Sequence, residues 1–143
     1  MGIIVTIEYA AGNVMLQLSG KTEAAKWLPL LPAENGITEK MLLADGKGGV
    51  SLVVSEKELT GLLTVLPGDM RPDMQSVGLV EITGYGLRKD TAILTSVYDV
   101  FGKAGIDVLA LSASDTGLTI AVPEDEGEHS LRILEERFGG CIE

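Results

Sequence analysis

The stretch from Val77 to Gly105, VGLVEITGYGLRKDTAILTSVYDVFGKAG, decides the fold. Val77–Thr83 mixes apolar and β-branched residues and runs into Gly84-Tyr85-Gly86, which predicts a strand that ends in a tight loop. Asp90 is a favourable N-cap residue, and Gly105 stands where a helix commonly ends in a left-handed residue. Between these two, apolar residues recur at helical spacing: Leu94, Val97, Phe101 and Ala104. The stretch therefore predicts a strand, a loop and one helix.

The residues that follow complete a β-α-β-β-α unit. Ile106–Leu111 is a β-rich run, Asp115–Gly117 marks a turn, and Leu118–Val122 alternates as a further strand. The acidic residues of Glu124–Glu128 favour the start of a last helix, because negative charge is stabilised at a helix N-terminus. The predicted apolar face of that helix consists of Leu131, Leu134 and Phe138.

The same unit occurs earlier in the chain in a more diverged form. Three pairs of segments match in the same order, with offsets of 64, 69 and 68 residues. They are Val14–Gly20 with Gly78–Gly84, Gly36-Ile37 with Gly105-Ile106, and Gly49–Glu56 with Gly117–Glu124. Matches in one order at a nearly constant offset are hard to obtain by chance, so a tandem duplication is predicted.

The first copy differs from the second mainly in its first helix. Thr22 could cap that helix, but Pro29 and Pro32 cannot lie inside it, so it is predicted to be short or broken. The last helix of the copy is better marked, because Ser55 and Glu58 form a capping box before a stripe of leucines.

Two segments lie outside the repeat. Ile3–Ile7 predicts an additional strand, followed by a hairpin turn at Ala11-Gly12-Asn13, and Asp69–Gln75 is predicted to be a linker. Two β-α-β-β-α units predict an α+β protein of two ferredoxin-like units, each an antiparallel sheet with helices on one face. This fold hosts many functions and decides none of them.

Composition excludes several function classes. The 143 residues carry 21 acidic and 11 basic side chains, a net charge of −10, so nucleic acid and anionic membranes are not expected partners. One cysteine and one histidine exclude a Cys/His zinc site, and neither a phosphate-binding loop nor an acid–base constellation indicates an enzyme. No secretion signal or membrane-length apolar run is found, so a cytoplasmic protein without cofactors is expected.

Four segments carry a resemblance to a known family. They are Gly84-Tyr85-Gly86-Leu87-Arg88, Lys103-Ala104-Gly105-Ile106-Asp107-Val108, Leu111-Ser112-Ala113-Ser114-Asp115, and the closing helix from Leu131 to Phe138. In these segments residues 74–143 resemble the second ACT domain of aspartate kinases, and residues 1–72 resemble the first, less closely. The first ACT domain is inserted into the second in that family. The resemblance therefore implies an inserted, degenerate unit at 12–72, and a 1–11 strand added to the sheet of 74–143.

The resemblance implies a non-catalytic regulatory module that binds an amino acid, typically lysine or threonine, between ACT domains of a homodimer joined by its sheet edges. It could regulate a metabolic enzyme. The implied ligand-binding positions are Gly84, Gly86, Leu87, Gly105, Ile106, Asp107, Ser112 and Ser114 in the second copy, and Gly20, Lys21, Thr22, Gly36, Ile37 and Thr38 in the first. Ser19–Thr22 stands where the family has Asp-x-Pro-Gly, which leaves the ligand's identity open. The alternatives are glycines that serve turn geometry alone, and an interaction or oligomerisation module with a decayed ligand site.

Overall fold

The structure is a computed structural model that describes residues 2–18, 36–37, 40–44, 50–66 and 72–139. The described strands are β1 (Ile3–Leu18), β2 (Met41–Ala44), β3 (Val50–Ser55), β4 (Asp73–Tyr85), β5 (Ala110–Ala113) and β6 (Gly117–Pro123). The described helices are α1 (Glu56–Val65), α2 (Thr91–Ala104) and α3 (Gly127–Phe138), the last preceded by a short 3₁₀ turn (Glu124–Glu126). The protein is thus a mixed α/β structure.

The strands are hydrogen-bonded in the order β2-β3-β1-β4-β6-β5. The pairs β1–β3, β2–β3, β4–β6 and β5–β6 are antiparallel. The chain folds into two compact units. We call Met1–Ala11 with Val77–Glu143 the discontinuous unit, and Gly12–Ser76 the continuous unit. The predicted tandem repeat and its domain limits stay predictions, because the segment after Thr22 lies outside the described residues.

The core of the discontinuous unit lies between its strands and its two helices. Alternate side chains of β4 and β6 point to one face, where α2 and α3 cover them. The buried residues are Ile4, Val80, Ile82, Leu87, Ile93, Val97, Phe101, Ile106, Leu118, Ile120, Val122, Leu134 and Phe138. The continuous unit has a smaller core of Val14, Leu16, Ile37, Leu52, Val54 and Leu62, the last contributed by α1.

The local signals for α2 are confirmed. Asp90 caps the helix by accepting hydrogen bonds from the backbone N–H groups of Ala92 (3.0 Å) and Ile93 (3.2 Å). Gly105 ends it in the left-handed conformation, with φ of 70°. At α1 the predicted start at Ser55 is correct, but the side chain of Ser55 makes no capping hydrogen bond.

Two predictions about connections are wrong. The predicted hairpin turn at Ala11-Gly12-Asn13 does not form, because β1 continues through it to Leu18 and pairs with β3 from Asn13 onward. Gly12 has a φ of 74°, which allows a local kink without ending the strand. The predicted linker also ends too late, since β4 already begins at Asp73.

Candidate ligand-binding site

The loop between β4 and α2 is held against the β5–β6 hairpin by backbone hydrogen bonds. Gly84 N–H donates to the carbonyl of Thr116 (3.0 Å), and Leu87 N–H donates to the carbonyl of Asp115 (3.0 Å). The side chain of Leu87 is fully buried in the core. Leu87 was predicted to contact a ligand, but here its side chain and its N–H group are both used internally.

Gly86 is the position in this loop that stays open to a ligand. Its φ of 67° turns the chain in a way that favours glycine. Within the described part of the chain, its N–H group has no internal acceptor. The exposed side chains of Arg88 and Lys89 follow two and three residues later. A free backbone N–H next to two cations is suited to a carboxylate.

The second predicted segment lies at the opposite end of α2. Gly105 N–H donates to the carbonyl of Gly102 (3.3 Å) and Ile106 N–H to that of Phe101 (3.1 Å), so both groups close the helix. The side chain of Ile106 is buried, whereas that of Asp107 is exposed. A helix of 14 residues is about 21 Å long, so one chain does not bring Asp107 to Gly86.

The two predicted serines of the second copy have different environments. Ser112 is exposed on β5 and lies opposite Thr119 of β6. Ser114 shapes the β5–β6 turn, since its Oγ accepts from Gly117 N–H (3.1 Å) and its own N–H donates to the Gly117 carbonyl (2.8 Å). Of the two, Ser112 has the side chain that is free to face outward.

Of the positions predicted in the first copy, Gly20, Lys21, Thr22 and Thr38 lie outside the described residues. Gly36 has a φ of 69°, which fits a turn, and Ile37 is buried in the core of the continuous unit. The predicted ligand contacts of both residues stay predictions.

Asp90 has a role beyond capping that the sequence did not reveal. Its Oδ2 accepts a hydrogen bond from the backbone N–H of Gly2 (2.9 Å), which ties the beginning of β1 to the beginning of α2. The hydrogen bond from Gly2 lowers the pKa of the Asp90 carboxyl, and those from Ile93 and Ala92 lower it further. A cleft of about 250 Å³ opens beside it, lined by Gly2, Ile4, Asp90, Ala92, Ile93, Ser96 and Phe138. Periodicity along the chain cannot show a contact between residues 2 and 90.

Asp90 is expected to make folding sensitive to acid. Because its pKa is lower in the folded state, its contribution to stability is complete above the pKa of an unfolded aspartate, about 4. That contribution is lost as the pH falls through the folded value. Asp90→Asn is therefore expected to lower the Tm at pH 7 and to flatten the dependence of Tm on pH below about 4. Thermal melts from pH 7 to pH 2, compared with Asp125→Asn as an exposed control, measure this; an unchanged acid slope would contradict it.

A second, wider cleft of about 500 Å³ lies in the discontinuous unit and is lined by Tyr9, Glu128, Leu131 and Arg132. Burial raises the pKa of the Tyr9 hydroxyl, and the negative charges of Glu124 and Glu128 raise it further.

Among the described residues there is no group of three His, Cys, Asp or Glu side chains that could hold a metal ion, nor a helix long and apolar enough to cross a membrane.

No protein-family model and no curated protein sequence matches the chain. Solved structures do match it. The regulatory subunit of aspartate kinase from Thermus thermophilus superimposes with a TM-score of 0.80 and 16% identity, over 94% of this chain and 97% of that one. A chain of the aspartokinase alpha and beta subunits gives 0.83 and 18%, over 95% and 99%.

A putative C-terminal regulatory domain of aspartate kinase from Porphyromonas gingivalis W83 gives a TM-score of 0.71 at 12% identity, over 92% of this chain and 94% of that one. These matches confirm the resemblance at the level of fold: the chain folds like the regulatory region of aspartate kinases over nearly its whole length. Some of the matched chains consist of the regulatory part alone.

Proposed function

We propose that this protein is a non-catalytic regulatory module of amino-acid metabolism, cytoplasmic, that binds a small molecule, most simply an amino acid. The observation that carries the proposal is the superposition on regulatory subunits of aspartate kinase over 94–95% of the chain. One matching structure, aspartokinase III from E. coli, is in complex with lysine and aspartate. A kinase of that type is the natural class of enzyme for such a module to act on.

We place the ligand between two copies of the chain. The groups suited to a carboxylate, the Gly86 N–H with Arg88 and Lys89, and the exposed carboxylate of Asp107, suited to an ammonium, lie at opposite ends of α2. A free amino acid is much shorter than the roughly 21 Å between them. Only a second copy can bring the two sets within reach of one ligand, which supports a homodimer joined by its sheet edges.

A specific observation favours the alternative, an interaction module with a decayed ligand site. Four of the predicted positions, Gly84, Leu87, Gly105 and Ile106, already use their backbone N–H groups inside the chain. A site that relied on those groups could not bind a carboxylate.

A thermal-shift screen against the twenty amino acids distinguishes the two functions. An amino acid present at about 100 times its dissociation constant should stabilise the fold by roughly 2.7 kcal/mol, which is a shift of several degrees. The shift should be lost in Asp107→Ala and kept in Glu136→Ala, an exposed acidic residue on α3 that serves as the control. A cooperative melt that no amino acid shifts would favour the interaction module.

A further inference from the structure

The turn that closes the β5–β6 hairpin, residues 114–117, is fastened between its two ends. Ser114 N–H donates to the carbonyl of Gly117 (2.8 Å), and Gly117 N–H donates to Ser114 Oγ (3.1 Å). The Ser114 hydroxyl donates in turn to the Gly117 carbonyl (3.3 Å). One of these hydrogen bonds is made by the backbone alone, and the other two depend on the side chain of Ser114.

The two middle residues of the turn hold the loop between β4 and α2. The carbonyl of Asp115 accepts from Leu87 N–H (3.0 Å), and the carbonyl of Thr116 accepts from Gly84 N–H (3.0 Å). A peptide unit is planar, so a carbonyl changes direction only when the dihedral angles of the adjoining residues change. The shape of the turn therefore fixes the direction of both carbonyls, and the two carbonyls fix the place of the loop.

Gly86 lies between the two positions that the turn holds. Gly84 and Leu87, on either side of it, donate to the turn, whereas the N–H group of Gly86 has no acceptor within the described residues. The orientation of this N–H group is therefore set by bonds that its neighbours make. Those bonds depend in turn on the shape of residues 114–117.

We propose that Ser114 is a positioning residue for the ligand loop: its hydroxyl fixes the turn, the turn fixes the loop, and the loop then presents the Gly86 N–H group. The proposal rests on the proposed function, in which Gly86, Arg88 and Lys89 receive a carboxylate. It gives Ser114 an effect on affinity that needs no contact between its side chain and the ligand. Because coupling is reciprocal, an amino acid bound at the loop also makes the turn harder to open.

Amide hydrogen exchange of the full chain, followed residue by residue by NMR, tests the first part of this chain of contacts. Ser114→Ala removes the hydroxyl and keeps the backbone bond from residue 114 to Gly117. Exchange at Gly84 and Leu87 is expected to become about fivefold faster, the equilibrium effect of one neutral hydrogen bond. A general loss of stability would also speed exchange in the middle of α2, at Val97, where no change is expected.

Affinity tests the second part. The thermal-shift titration uses whichever of the twenty amino acids shifts the unaltered protein most, and Ser114→Ala is expected to raise its dissociation constant about fivefold. Ser114→Thr keeps a hydroxyl at the same position and should restore both the exchange rates and the affinity. Thr95→Ala, which removes an exposed hydroxyl on α2, is the matched control and should change neither.

The outcomes separate this proposal from the proposed function. Unchanged exchange at Gly84 and Leu87 in Ser114→Ala would overturn the hold of Ser114 on the loop. Faster exchange with unchanged affinity would overturn its positioning role and leave the amino-acid site standing. If no amino acid shifts the unaltered protein, the proposed function and the positioning role fail together, whereas faster exchange would still support the hold of Ser114 on the loop.

Discussion

Replacing Gly84 by alanine is expected to destabilise the protein more than any other single methyl addition to the described residues. Gly84 is buried on β4, where it faces the start of β1. A Cβ atom there would overlap the carbonyl oxygen of Ile3 and lie 2.9 Å from its carbonyl carbon and 3.1 Å from the Cα of Ile4. All three neighbours are backbone atoms, so no rotamer change relieves the overlap. We expect a loss of about 3–5 kcal/mol, a large share of an ordinary domain's stability.

Urea unfolding followed by circular dichroism measures that loss. Gly102→Ala is the matched control, since Gly102 is exposed on α2 and a Cβ there meets nothing within 4 Å. In a helix that change should stabilise by up to about 1 kcal/mol. A loss below about 1 kcal/mol for Gly84→Ala would show that β1 and β4 do not approach as closely as described.

The second large effect is expected at Gly127, the first residue of α3. A Cβ atom there would overlap the ring of Tyr9 at Cε1, Cζ and the hydroxyl oxygen. Gly78 also lies against the ring, since a Cβ added to it would lie 2.5 Å from Cε1. Alanine is intrinsically more favourable than glycine in a helix by about 1 kcal/mol. The overlap with the ring therefore determines whether the substitution stabilises or destabilises the protein. We expect a net loss of roughly 2–3 kcal/mol for Gly127→Ala.

A double-mutant cycle isolates that contact. In a Tyr9→Ala background the ring is absent, and Gly127→Ala should become neutral or stabilising. The same urea experiment on the four proteins gives the coupling free energy. If Gly127→Ala costs the same with and without the ring, the proposed overlap is not the cause.

Local signals in the sequence were sufficient for α2 and for its buried face. The cap at Asp90 and the left-handed Gly105 are properties of single residues and their near neighbours, and the buried face of Val97 and Phe101 follows from helical spacing. Nothing of this kind marks where one strand meets another. The continuation of β1 through Gly12 depends on pairing with β3, which no nearby residue signals.

The candidate site was predictable only in part, for the same reason. Glycines and a leucine after a strand indicate a loop. They do not show which N–H groups of the loop donate to carbonyl groups of the same chain. The N–H groups of Leu87 and Gly84 donate to the carbonyl groups of Asp115 and Thr116, residues of a later hairpin, and their predicted ligand contacts stay predictions. The separation of Gly86 from Asp107 follows from the length of α2, which the sequence did contain.

The discontinuous unit sets an order of events during synthesis. Its core joins Ile4, near the beginning of the chain, to Phe138, near the end, and all of Gly12–Ser76 lies between its two pieces. On the ribosome the first half of β1 emerges early, but its partner strand β4 and the helices that cover it emerge much later. The continuous unit has all its residues available first. The segment from Ile3 to Ala11 must therefore wait unpaired, and chaperones have their longest opportunity to bind the chain there.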